Sequence, residues 1–112
     1  MLPDGIFGAF RRNRTERADE AAFLVASGDR SVAVSWRQFA SDVESVAWIV
    51  RRYVPGAKIG LLGENSYEWF CVHAAIVFSG ATVVPLEIGL SPEEIAERLA
   101  FVGAKALVHS AQ

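Results

Sequence analysis

At 112 residues the chain is long enough for one small domain and too short for a two-domain enzyme with a closing lid. Hydrophobic residues make up 52% and charged residues only 21%, which excludes a disordered chain, because low hydrophobicity is what keeps chains unfolded. The net charge of −2 argues against a general nucleic-acid binder, so nucleic acid is not expected among its partners.

A folded chain of this size buries roughly two-thirds of its surface. So many apolar residues cannot all hide in it, which predicts either self-association or attachment to further polypeptide. The charge is uneven. Residues 1–58 carry nine Lys/Arg and seven Asp/Glu, whereas residues 59–112 carry two and six. Arg11, Arg12, Arg14 and Arg17 concentrate the basic excess, and such a run could touch phosphate or anionic lipid; its plainer reading is a solvated helix face. Cys71 is the only cysteine, which rules out an internal disulfide and suits a reducing, cytoplasmic location. No secretory signal is expected, since Asp4 comes at once and arginines follow the first apolar stretch rather than precede it.

Taken in order, Ile6 to about Arg14 reads as a short amphipathic helix. Ala21–Ser27 and Arg30–Val34 flank Gly28-Asp29, a two-residue hairpin signal. Ser35, with Gln38 three residues on, predicts a capping box. The helix it opens repeats apolar residues at Trp36, Phe39, Ala40, Val43, Val46, Ala47, Val50, Tyr53 and Val54, the spacing of one buried face. Pro55-Gly56 ends it. Lys58–Gly63 reads as a buried strand, and Asn65 with Glu68 as the cap of a helix running to about Ser79. Gly80 stops that helix, and Ala81–Leu86 is the next strand. Ser91-Pro92-Glu93-Glu94 is the clearest helix start in the chain, with serine at the N-cap, proline at N1 and glutamate at N3. Gly103 stops this helix, and Lys105–Ser110 is a last strand. The expected fold is therefore α/β: a β-α-β-α-β parallel-sheet unit over about residues 58–110, preceded by a helix and a β-hairpin.

Trp69–Leu86 is an 18-residue run without Asp, Glu, Lys or Arg, just long enough to suggest a membrane span. Gly80, the β-branched run Thr82-Val83-Val84 and then Pro85 favour a buried helix followed by a buried strand.

Few residues invite chemistry. Gly60 and Gly63 bracket the first parallel strand, but the G-x-G-x-x-G triplet of a dinucleotide site is incomplete, and Glu64 stands where a pyrophosphate would lie. No G-x-x-x-x-G-K-[ST] loop occurs. The simpler expectation is that Gly60 permits close packing and Gly63 shapes a turn. Cys71 and His73 point to different sides of a helix and make a poor metal pair. His109 at a strand end and Glu87 after another could face a ligand, as the carboxyl ends of parallel strands often do. From the residues alone, the catalytic, cofactor-binding and metal-binding sets are all expected to be empty.

A resemblance is carried by the order and spacing of several pieces. Ser35-Trp36 opening a long helix is one. Ile59-Gly60-Leu61-Leu62-Gly63-Glu64-Asn65-Ser66-Tyr67-Glu68-Trp69 is the most specific. Ala74-Ala75-Ile76, Ser79-Gly80-Ala81, Val84-Pro85-Leu86, Ser91-Pro92-Glu93-Glu94-Ile95 and Gly103-Ala104-Lys105-Ala106-Leu107-Val108 follow in turn. Together, from roughly Phe10 onward, they resemble the amino-terminal region of AMP-forming acyl-adenylate and acyl-CoA synthetases, closest in flavour to long-chain fatty-acid–CoA ligases. The resemblance implies that residues 1–112 are a single incomplete domain, the framework subdomain of a longer ligase. It also implies ATP, Mg2+ and CoA as cofactors of the full-length parent. The family's Ser/Thr/Gly-rich phosphate loop, metal-binding acid and catalytic lysine have no counterpart here, so the 112 residues alone are expected to be inactive, with the rest of the parent chain as their partner. Two rival readings are a free-standing interaction module docking through an exposed apolar face and a small nucleotide-binding domain, the latter disfavoured by the missing glycine triplet.

Overall fold

The computed structural model describes residues 5–110, and the chain divides into two compact units between Glu44 and Ser45. The first unit opens with α1 (Gly5–Glu16), two residues longer at its end than its apolar pattern indicates. Strands β1 (Ala21–Ser27) and β2 (Arg30–Ser35) then form an antiparallel hairpin. Ser27 pairs with Arg30, so the loop is Gly28-Asp29, and Gly28 takes φ 64°, a conformation that only glycine adopts without strain. Helix α2 (Trp36–Tyr53) follows at once. The Ser35 hydroxyl accepts the Gln38 amide at 3.1 Å, but the Gln38 side chain donates forward to Asp42 at 2.8 Å. The predicted capping box is therefore half made, because an acceptor one turn ahead holds the glutamine.

Aromatic rings form the centre of this unit. Phe39 receives edge-on contacts from Phe10, Phe23 and Trp36 at centroid distances of 5.6, 4.9 and 6.0 Å, and Phe10 and Phe39 are buried. Such pairs add about 0.5–1.5 kcal/mol each beyond the area they bury. The basic run of α1 is partly matched by local acids. Arg14 pairs with Glu44 and Arg17 lies 3.7 Å from Glu20; outside the run, Arg37 of α2 lies 3.0 Å from Asp19. These are exposed pairs that contribute little to stability, and they favour the solvated-face reading over a phosphate-binding patch.

The second unit holds the rest of α2, then β3 (Lys58–Leu62), α3 (Tyr67–Phe78), β4 (Thr82–Leu86), α4 (Pro92–Val102) and β5 (Ala106–His109). This is the expected β-α-β-α-β unit, and all three strands are parallel in the order β4-β3-β5. Ile59 on β3, Val50 on α2 and Ile76 on α3 form a buried cluster, with Val83, Ala106 and Val108 of the sheet packed against it. That is one face of the sheet. On the other, Leu99 of α4 lies over Gly60, flanked by Leu86 and Leu107. A Cβ on Gly60 would come within 2.6 Å of the Leu99 methyl, so the glycine is where α4 comes closest to the sheet. The close-packing expectation for Gly60 holds.

Tyr53 departs from the periodicity. Of the two residues that end the apolar pattern of α2, Val54 packs against the core cluster as expected, whereas Tyr53 is 70% exposed. The uncharged run from Trp69 resolves as α3, a turn at Gly80 with φ 87°, and β4. Among the described residues, no helix is long and apolar enough to cross a membrane. Helix α4 carries the full capping box that Ser91 and Glu94 predict: each accepts the other's backbone amide, at 3.1 and 3.0 Å. The amide of Ser91, then its hydroxyl and the Arg98 charge, hold the Glu94 carboxyl below its ordinary value.

Candidate functional site: the carboxyl ends of the parallel strands

In a parallel sheet, ligands bind at the carboxyl ends of the strands, where loops leave in different directions. Here β3 leads to α3 and β4 on one side, while β5 lies on the other. A crevice of about 120 Å³ opens at the ends of β3 and β5. Glu64, Ser66, Glu68 and Trp69 line it from the β3–α3 connection, and His109 and Ser110 from the end of β5.

Local chemistry sets each of these positions. Ser66 has extended backbone, φ −153° and ψ 170°, and its hydroxyl accepts the Trp69 amide at 3.1 Å. Ser66, not the expected Asn65, therefore caps α3. The three-residue reach from hydroxyl to amide selects it, and it leaves Glu68 at the second helical position, too early to close a capping box. Ser66→Ala is expected to cost about 0.5–2 kcal/mol in urea denaturation. Asn65→Ala, at an exposed residue outside the cap, is expected to stay within about 0.5 kcal/mol. Trp69 stacks on His73 one turn later, with ring centroids 5.1 Å apart and planes tilted by 34°. This accounts for His73 as a packing residue, and the i, i+4 spacing of an aromatic pair is the signal that marks it in the sequence. The exposed His109 ring sets its Nδ1 2.7 Å from the Ser110 carbonyl oxygen.

The strand-end position expected for His109 thus brings it to the crevice, together with Glu64 and Glu68. Glu87 is exposed after β4 and does not line the crevice, and Cys71 is buried in α3. Gly63 has ordinary backbone, and a Cβ there would only reach normal contact with Trp69 at 3.8 Å, so the bend it occupies does not demand glycine. Small-molecule sites usually enclose about 300–1,000 Å³. The crevice is well below that range, and its two carboxylates oppose an anionic ligand. No group of three or more His, Cys, Asp or Glu among the described residues could hold a metal ion. A second, wider groove of about 530 Å³ lies along β4 and α4. Val84, Pro85, Leu86, Phe101 and Val102 line it, with Glu97 and Arg98 as its charged residues.

The fold is that of the amino-terminal region of adenylate-forming enzymes. It is similar to the N-terminal subdomain of NpsA from Klebsiella oxytoca, with 21% identity and a TM-score of 0.73 over 91% of this chain and 26% of that one. The inhibitor-bound N-terminal domain of FACL13 from Mycobacterium tuberculosis gives 23% identity and a TM-score of 0.73, over 91% and 26%. The fatty acid AMP ligase from Legionella pneumophila gives 12% identity and a TM-score of 0.79, over 91% and 19%. The chain spans about a fifth to a quarter of the length of these solved chains. A comparison with curated protein sequences gives no match. Residues 10–112 match the model of the AMP-binding enzyme family, and the chain belongs to that family.

Proposed function

We propose that this chain is the amino-terminal framework of an ATP-dependent carboxylate–CoA ligase, acting on a fatty acid in the cytoplasm. The family match over residues 10–112 carries this reading, and the fatty acid AMP ligase among the similar structures supports its substrate class. In the reaction, the carboxylate oxygen attacks the α-phosphorus of ATP and pyrophosphate leaves. The CoA thiolate then attacks the acyl carbon and AMP leaves. We assign none of these contacts to residues 1–112. A crevice of 120 Å³ bordered by Glu64 and Glu68 does not suit a triphosphate, and the chain has no phosphate loop. Its part is to hold a covered parallel sheet on which further polypeptide builds the ATP, Mg2+ and CoA sites.

The purified 112-residue chain is expected to give no carboxylate-dependent exchange of labelled pyrophosphate into ATP, whatever the fatty acid. Clear turnover would overturn the assignment of the chemistry to other polypeptide. A second reading, a non-catalytic module that docks on a synthetase or carrier protein, is favoured by the apolar surface of α2, where Trp48, Ile49 and Tyr53 are all exposed. The coding sequence after Gln112 separates the two. Continuation into a Gly/Ser/Thr-rich phosphate loop supports the framework, and a stop codon supports the module.

A further inference from the structure

The charges of the second unit are sorted by the two ends of its sheet. Helix α2 stops at Tyr53 and β3 begins at Lys58, while α4 stops at Val102 and β5 begins at Ala106, so both helix ends meet the amino end of the strands. That end holds Arg51, Arg52, Lys58 and Lys105, all exposed. No Asp or Glu occurs between Ser45 and Gly63. The carboxylates of the unit lie toward the other end: Glu64 and Glu68 after β3, Glu87 after β4, and Glu93, Glu94 and Glu97 in the first two turns of α4. Five residues of strand separate the ends by about 16 Å. That is roughly twice the Debye length of about 8 Å at physiological ionic strength, so an approaching surface meets the charge of one end rather than the sum. The sorting follows from residue type and topology, and does not depend on how far the polypeptide extends.

Two of the four cations have a local explanation, because Arg51 and Arg52 complement the negative end of α2. The lysines have none. The Lys105 amide donates to the Lys58 carbonyl at 2.8 Å, and the register that pairs Ile59 with Ala106 sets Lys58 beside Lys105. Neighbouring strands lie about 4.8 Å apart, and neighbours in register leave the same face, so the only two lysines of the chain stand side by side. Like charges so placed destabilise a sheet. None of the four cations has an ion pair among the described residues. Apolar side chains flank them: Trp48, Ile49 and Tyr53 of α2 are 59, 51 and 70% exposed, and Phe101 in the last turn of α4 is 92% exposed. Cations and aromatic rings without carboxylates suit the boundary of an anionic bilayer, where rings lie among the head groups and each Lys or Arg adds attraction. Neither the acidic crevice nor the groove along β4 and α4 includes any of the four cations, so what meets them is a broad surface rather than a molecule held in a cleft. We infer that the amino end of the parallel sheet docks on an anionic lipid surface, with the carboxyl ends of the strands turned away from it. The acids at the far end oppose the reverse orientation. The inference holds whatever carboxylate the parent polypeptide activates.

Co-sedimentation of the 112-residue chain with vesicles tests this. Binding is expected to phosphatidylcholine vesicles that contain phosphatidylglycerol and not to phosphatidylcholine alone, and it is expected to weaken as salt rises. Lys58→Gln combined with Lys105→Gln is expected to weaken it about thirtyfold, with the circular dichroism spectrum unaltered. Glu64→Gln combined with Glu68→Gln, at the far end, is expected to leave it unchanged. Brominated acyl chains are expected to quench the tryptophan fluorescence of the bound wild type. Trp48→Phe is expected to remove most of that quenching, because Trp69 lies at the carboxyl end. No binding to the anionic vesicles at low salt overturns the inference, as does equal binding to both kinds of vesicle or undiminished binding by the lysine variant. Quenching that survives Trp48→Phe overturns the orientation, and the inference with it. Binding to polyglutamate without binding to vesicles overturns it in favour of an acidic protein partner.

Discussion

Ile76→Ala is expected to destabilise the chain by about 2–5 kcal/mol, a large share of the roughly 5–15 kcal/mol that a domain has to lose. Ile76 has 0% exposure and lies in the cluster with Val50 of α2 and Ile59 of β3. It therefore ties two helices to the central strand at one point. Truncation removes three carbons from a site that neighbouring side chains from three different elements cannot readily refill. Ile88, which is 62% exposed after β4, provides the contrast, and Ile88→Ala is expected to change stability by less than about 0.5 kcal/mol. Guanidinium denaturation of both variants, followed by tryptophan fluorescence, checks the pair. Equal losses would mean that α3 is not held through Ile76.

Gly60→Val is expected to cost about 1–3 kcal/mol by overpacking. The first added carbon already falls 2.6 Å from Leu99 Cδ2, 3.2 Å from Leu107 Cδ1 and 3.5 Å from Leu86 Cδ1. All three are ends of side chains and can shift, so Gly60→Ala costs less than Gly60→Val, whose extra methyl groups press α4 away from the sheet. Leu99→Ala in the same chain frees that space. The double variant is expected to be more stable than the sum of the single losses implies, with a coupling of about 0.5–3 kcal/mol. Additive losses would show that Leu99 is not what the new side chain meets. The effect is one of stability, because Gly60 belongs to the packing of α4 rather than to a phosphate loop.

Much of the second unit is legible in the sequence because its signals are local. The Ser91-Pro92-Glu93-Glu94 start works as read because proline and the two capping groups act within one turn. Gly80 divides the uncharged run because a left-handed turn is a property of one residue. Asn65 and Ser66 are harder: both are good caps by type, and the choice rests on which backbone adopts the extended conformation with its oxygen at the Trp69 amide. Gln38 shows the same limit, since its choice between Ser35 and Asp42 depends on a rotamer. The candidate site was only partly legible. His109 could be placed at a strand end, but its approach to Glu64 and Glu68 depends on which strand lies beside β3.

By itself, then, the sequence determined the element order and the parallel α/β class, because periodicity, capping and turn chemistry act over a few residues, and the order and spacing of its segments carried the resemblance to the family. Only the tertiary structure decided that β3 is central, with β4 and β5 on either side, that Tyr53 is exposed while its neighbour Val54 packs against the core, and that the acidic crevice is small. Strands of similar aliphatic composition compete for the same neighbours. What settles their order is how the helices can cover both faces at once, and here one such contact is Leu99 closing over the bare backbone of Gly60.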